Sequence, residues 1–411
     1  MRTHNFTLMH KSASQSMRVG WQHVRIMRIL PIALLVGLSI AQSGQKPRQD
    51  FAALSSEANA ARDTEHLSEA ALLYQRALAL RPAWQEGWWS LGMVQYVNGS
   101  YTLCARAFQR LTVLKPTNGA AYVMLGLCEF ELDQDTQALR HIEQGETIGV
   151  PADAQLANVM RYHHGILLQR LGRFEGAGEV LKGLCVDGEQ PKPLLSGLGM
   201  VALRMPDRHP PPEGSVAADI VARLGLAMSY EAQHKLEQAR QIYAEVAQQY
   251  PDFPNVHVVY GRFLSEQHDV PAATQEFEQE IKNYPGNVIA RLQIASNYYR
   301  VDSAAGISYA EEAVRLAPQY PFGHYVLGLL LVDAGEYTKA IPELETARRT
   351  FPHKVPQIYF SLGIAYSHVG RKEEAARARV MFVQLKKEQE QHAAAMEPSE
   401  ETGKGNITPP Q

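Results

Sequence analysis

The sequence predicts an all-α chain of antiparallel helix pairs stacked one on the next, and three observations lead there. Residue types recur in register: small at Ala58, Gly92 and Gly126, large at Tyr74, Phe108 and Ile142, each set spaced by 34 residues, as are Pro82 and Pro116. Between these markers apolar residues fall at spacings of three and four, the stripe of an amphipathic helix. Each period holds two such stripes, parted by a break such as Asn98-Gly99 and closed by a proline, which cannot continue a helix.

The stretch Trp88 to Pro116 is the clearest unit. Its first helix carries Trp88 and Leu91 beside the small Gly92; its second aligns Cys104, Phe108 and Leu111 and stops before Pro116. An earlier unit begins near Phe51, with Ala58, Ala70, Tyr74, Ala77 and Pro82 in the same places. The third has Tyr122, Leu125, Gly126, Ala138 and Ile142, with its proline one place late at Pro151, and the fourth has Gly165, Ala177, Leu181 and Leu184. Residues 185–219 break the pattern: a first helix fits LLSGLGMVALRM, but DRHPPPEG follows, and three successive prolines exclude a second. That segment is read as a degenerate unit, with a boundary between two halves of the stack as one outcome. Periodicity returns with Ala227, Ala239, Tyr243 and Pro251, then Gly261, Ala273, Phe277 and Pro285, 34 residues on. Ala295, Ala313 and Pro318 mark a shorter unit, followed by a complete one with Leu327, Gly328, Ala340, Leu344, Ala347 and Pro352. The last, with Tyr359, Leu362, Gly363 and Ala375, runs into a long polar helix that suits a cap.

The unit resembles the tetratricopeptide repeat pattern W-x2-L-G…A-x3-F…P, carried by Trp88, Leu91, Gly92, Phe108 and Pro116, with Cys104 where the family usually has alanine. The resemblance implies an alpha-alpha superhelix, a right-handed solenoid of about nine units with one degenerate unit in the middle. It further implies that first helices line a concave face receiving a protein or peptide segment. Projected residue by residue, that groove takes Trp89, Met93, Tyr96, Phe130, Tyr162 and Arg170 from the first half, and Arg262, Tyr299, Arg300 and Tyr325 from the second. Aromatic anchors would supply binding energy and the arginines would select acidic groups; the competing reading packs several of these residues against the opposite wall or the interrupting loop. Relatives that clamp acidic chaperone tails with Lys and Asn on successive first helices are a poor match, since Trp89, Met93, Val123, Leu127 and Tyr162 stand there.

The expected organisation is an export signal with an extra leader over 1–41, a linker over 42–50, repeats over 51–184, the degenerate unit and proline-rich loop over 185–219, repeats and a capping helix over 220–390, and the end of that helix with a disordered tail over 391–411. The signal rests on basic MRVGWQHVRIMR, the apolar run Ile29 to Ile40 and small residues before a cleavage point after Ala41, with Met17 the more natural start. The run is short and holds Pro31, which argues against a membrane span. The chain is therefore expected to be periplasmic or secreted, the alternative being an inner-membrane anchor through an uncleaved segment. Of three cysteines, the preferred reading keeps all as buried thiols; the alternative pairs Cys104 with Cys128 in an oxidising compartment and leaves Cys185 free.

With 40 Lys+Arg against 43 Asp+Glu and no long basic run among the repeats, nucleic acid is not an expected partner. His163-His164 with His141 lack a carboxylate spaced to complete a metal triad, so no metal is expected. The sequence has no GxSxG, P-loop, HExxH or dinucleotide fingerprint, and no cofactor is expected. The reading is a non-enzymatic scaffold or adaptor. The alternatives are a structural assembly factor of a cell-envelope secretion or export complex, and an accessory subunit of an envelope enzyme.

Overall fold

The computed structural model describes residues 50–150, 154–351 and 354–396, and every regular element among them is a helix. The expected signal over 1–41, the linker before Asp50, Pro151, Pro352 and the tail beyond Met396 lie outside the described residues. The chain divides into two compact units at Ile242–Tyr243.

The first unit pairs α1 (Phe51–Asp63) with α2 (Leu67–Leu80), α3 (Gln85–Val97) with α4 (Tyr101–Leu114), α5 (Gly119–Glu131) with α6 (Asp135–Ile148) and α7 (Ala154–Arg170) with α8 (Phe174–Lys182). It continues with α9 (Lys192–Ala202) and α10 (Val216–Ala232); the division falls within α11 (Leu236–Gln249). The second unit pairs α12 (Val256–Glu266) with α13 (Val270–Asn283), α14 (Val288–Tyr298) with α15 (Ser303–Leu316), α16 (Pro321–Asp333) with α17 (Tyr337–Thr350) and α18 (Pro356–His368) with α19 (Lys372–Met396).

The expected columns of small and large residues meet. A methyl group on Gly92 would stand 2.6 Å from the Phe108 ring, and the same holds for Gly261 against Phe277, Gly165 against Leu181 and Gly328 against Leu344. Phe108, Phe277, Leu181 and Leu344 are fully buried. Each large side chain thus fills the notch that its glycine leaves, which brings the two helices of a pair close and removes both faces from water. The last pair departs from the rule. Arg379 takes the large position opposite Gly363 and donates to the Ser367 hydroxyl, so the end of the stack carries a polar tip there.

The turn inside a pair has its own chemistry. A residue in the left-handed region ends the first helix at Glu65, Gly99 and Asp133 in the first unit and at His268 and Gly335 in the second. The next amide reaches back to a carbonyl left open by the helix end: Ser100 N to Gln95 O at 2.9 Å, Gln134 N to Glu129 O at 3.0 Å, Glu336 N to Leu331 O at 2.8 Å. At two turns between pairs, the residue six beyond the proline satisfies the proline carbonyl. Trp88 Nε1 donates to Pro82 O at 2.8 Å, and His324 Nε2 bonds Pro318 O at 2.9 Å.

One sequence expectation changes. Cys104 on α4 and Cys128 on α5 are joined by a disulfide, with Cα atoms 6.0 Å apart, so the reading of three buried thiols is replaced by a covalent link between neighbouring pairs. Cys104 holds the alanine place of the pattern, and Cys128 faces it from the first helix of the next pair. No helix forms over 206–214, and α9 packs directly on α10 because Gly199 and Gly225 let backbone meet backbone: methyl groups there would stand 1.9 Å from Val221 O and 1.8 Å from Leu195 O.

Candidate protein-interaction surface

In the second unit, α14, α16 and α17 bring half-buried aromatic rings together. Tyr325 on α16 lies 6.0 Å from Phe322, and 6.0 Å edge-on from Phe351 at the end of α17; Phe322 is 6.4 Å from Tyr320. Tyr299 packs on the same core of Leu292, Val326 and Leu330, and the Arg300 guanidinium carbon stands 5.1 Å from its ring centre. Burial, with Tyr299 beside it, raises the Tyr325 phenol above its ordinary value, so it stays a neutral donor at physiological pH. Rings of this size hold on the order of 150–250 Å² each. Covering a further third of one is worth roughly 1–2 kcal/mol. Of the projected residues in this unit, Tyr299, Arg300 and Tyr325 are therefore brought together. Arg262 is engaged along its own helix, 3.8 Å from Glu266.

In the first unit the outcome is different. Met93 and Tyr96 are buried, and Tyr96 lies edge-on to Tyr101 at 5.7 Å. Trp89 stays half-buried, its ring edge-on to Phe108 at 5.4 Å. Phe130 is buried between His163, edge-on at 4.8 Å, and the Arg170 guanidinium at 4.1 Å. Tyr162 leans edge-on against His163 at 5.3 Å, and burial pushes its phenol up to about 12, against a lowering by Arg170. Arg170, projected to face a partner, is used within the chain: it pairs with Asp135 at 3.3 Å and donates to Arg208 O at 3.4 Å.

Sequence reasoning missed Phe322, Phe351 and Tyr320. It looked only at first-helix positions facing one way, whereas Phe351 enters from the end of a second helix. The available signal was an aromatic residue directly before a repeat proline, at Tyr250, Tyr284 and Phe351.

The second unit also has an open concavity of about 390 Å³ lined by Pro254, Asn255, Glu280, Asn283, Tyr284 and Asn287. Glu280 is fully buried, where Leu111, Ala313 and Ala347 stand in other repeats. Its Oε1 accepts from Asn255 N and Asn287 Nδ2, both at 2.9 Å, which ties two successive turns together. Burial raises its pKa despite these donors. Beside it, His257 Nδ1 meets Glu276 at 2.6 Å, as His324 meets Glu343 at 2.6 Å one double period later. These groups serve the turns. Among the described residues no cluster of His, Cys, Asp or Glu could hold a metal ion, and no helix is long and apolar enough to cross a membrane.

Residues 56–118 and 325–378 match one tetratricopeptide repeat family, and residues 221–252 match a second. The matched stretches span the first two helix pairs, α10 with α11, and the chain from Tyr325 into α19, which takes in Tyr325 and Phe351 of the aromatic cluster. No curated protein matches the chain. Solved structures similar to it include MamA from Desulfovibrio magneticus RS-1, at 18% identity and a TM-score of 0.37 over 41% of this chain and 94% of that one. The Cut9–Hcn1 hetero-tetramer of the APC/C is similar at 13% identity and 0.36 over 82% and 87%, and yeast Tom70 at 14% and 0.33 over 81% and 68%. At these scores neither activity nor partner is transferred.

Proposed function

We propose that this chain is a non-enzymatic scaffold or adaptor, exported to a periplasmic or extracellular space, that presents half-buried rings to an extended segment of a partner protein. One observation carries the reading: Tyr299, Phe322, Tyr325 and Phe351 converge in the second unit with Arg300 at their edge, the mix of rings and arginine that dominates protein interfaces. Partner rings or aliphatic groups would complete the burial, and Arg300 would favour an acidic neighbour. The Cys104–Cys128 disulfide supports export, because such bonds persist in oxidising compartments. The test is capture of partner proteins from an envelope extract by the full chain and by the Tyr299→Ala/Tyr325→Ala double variant. Loss of a captured species in the variant, with helicity unchanged, is the expected result; an identical set of captured species would remove the reading.

A second reading, assembly of an envelope secretion or export complex, draws on α19. Val380 and Val383 are 68% and 64% exposed on a helix that ends its stack. In that case Val380→Ser/Val383→Ser would abolish capture and the tyrosine variant would not.

A further inference from the structure

Between α9 and α10 the chain leaves the stack, and one stretch of it, Met205–Arg208, lies across the ends of earlier helices. Gln169, itself 2% exposed on α7, donates from its side-chain amide to Met205 O and, at 3.1 Å, to Asp207 O. Arg170 Nη2 donates to Arg208 O at 3.4 Å. The Arg208 guanidinium pairs with Asp133, bonds its carbonyl at 3.1 Å and reaches Asp135 at 3.2 Å. Side chains that grip successive backbone carbonyls, while one carboxylate pair reads one arginine, are how a protein holds an extended peptide.

The fit has the marks of an occupant that can leave. Arg170 Nε is buried and has no hydrogen-bond partner, in a side chain only 6% exposed. The Arg208 and Asp133 side chains stay 40% and 66% exposed, so water and salt screen their pairing. Pro206 and Pro210–Pro212 keep the segment out of helix, and all but the half-buried Pro211 stay exposed. The helices at either end are fastened through Gly199 and Gly225, so the stack does not need the segment as a strap.

We propose that Met205–Arg208 is an internal pseudo-ligand, occupying in cis a ledge built from Asp133, Asp135, Gln169 and Arg170 that takes an extended, arginine-bearing segment of a partner protein. This rests on the reading of the chain as a binder of extended segments, and it adds a first-unit site whose charge preference is opposite to that of Arg300. Tethering gives the cis segment a high effective concentration, so a partner gains access only when it outcompetes or releases the latch.

The probe is a fluorescent peptide copying residues 203–214, titrated by anisotropy against the full wild-type chain and against Arg208→Glu, in which the latch is repelled by both aspartates. The expected result is binding at least tenfold tighter to Arg208→Glu than to wild type. That gain disappears when Asp133→Asn and Asp135→Asn are added, and when the peptide arginine that copies Arg208 is replaced by glutamate. Equal binding to wild type and Arg208→Glu, no binding to either, or a gain that survives the two asparagines overturns the proposal. Should Arg208→Glu not fold, Arg208→Ala takes its place in the same titration: tighter peptide binding than to wild type supports displacement, and equal binding overturns the proposal. The probe is the chain's own segment and leaves the second unit's rings intact, so failure here is separate from failure of the Tyr299/Tyr325 capture test.

Discussion

Gly199→Ala tests whether α9 and α10 are held together by backbone contact. In a helix interior the change from glycine to alanine ordinarily stabilises by roughly 0.5–1 kcal/mol through the unfolded chain. Here the new methyl group would stand 1.9 Å from the Val221 carbonyl oxygen, 2.6 Å from its carbon and 2.9 Å from its Cα. All three are backbone atoms, so no rotamer change relieves the clash and the helices must move apart by about 1 Å, beyond what a close-packed interior accommodates. Overpacking of this kind costs about 1–3 kcal/mol, and with backbone on both sides the upper end applies, leaving a net loss of roughly 2 kcal/mol. Gly176→Ala is the matched control: its methyl group would meet only the flexible end of Leu168 at 3.6 Å, and the expected change is a gain of about 0.5–1 kcal/mol. Urea denaturation followed by far-ultraviolet circular dichroism measures both, read as midpoint shifts at constant slope. A Gly199→Ala chain as stable as wild type would refute the contact, and with it the continuity of the stack through the proline-rich segment.

Other predictions follow from single features. Replacing Cys104 and Cys128 by alanine, or refolding under reductant, should lower stability by about 3.5 kcal/mol, the closure entropy for residues 24 apart; denaturation with and without reductant checks it, and no difference would mean the bond is not formed in solution. His257 makes the second unit sensitive to pH: burial depresses the imidazolium, but the hydrogen bond and charge of Glu276, with Glu280 behind, outweigh it and leave the pKa above the ordinary value. A raised folded pKa gives stability that is complete below the ordinary histidine value of about 6.5 and is lost as pH rises through the folded value. Glu280, also raised, acts in the same direction at its own, lower pH. His257→Gln should flatten the fall in denaturation midpoint from mildly acid to mildly alkaline pH, and an unchanged slope would remove His257 as its source.

What could be read from the residue order was what the period repeats. Gly92 with Phe108, Gly261 with Phe277 and Gly328 with Leu344 lie at a constant offset, and every pair solves the same packing problem, so the contacts follow from the pattern. The ledge did not follow. Whether Arg170 faces a partner or the chain itself depends on where Met205–Arg208 lies, and that aperiodic stretch has no register to read. Trp88, Tyr122, His257, Arg291 and His324 form a further column, six places after a repeat proline, that was visible in the sequence but carries polar tips of different chemistry. Its purpose becomes plain only when Trp88 and His324 are seen to meet the proline carbonyls. The cysteines allowed two readings because spacing alone does not say which faces of α4 and α5 are turned together.

Under the proposed function a partner segment lies on the rings of the second unit. Site-specific photo-crosslinking in cells tests it most directly, with a photoreactive phenylalanine in place of Phe322 and, separately, in place of Leu72, which is 62% exposed on α2 in the first unit. A discrete crosslinked partner is expected from position 322 that is lost in Tyr299→Ala/Tyr325→Ala, and none from position 72. A partner crosslinked from position 72 with nothing from position 322 would contradict it.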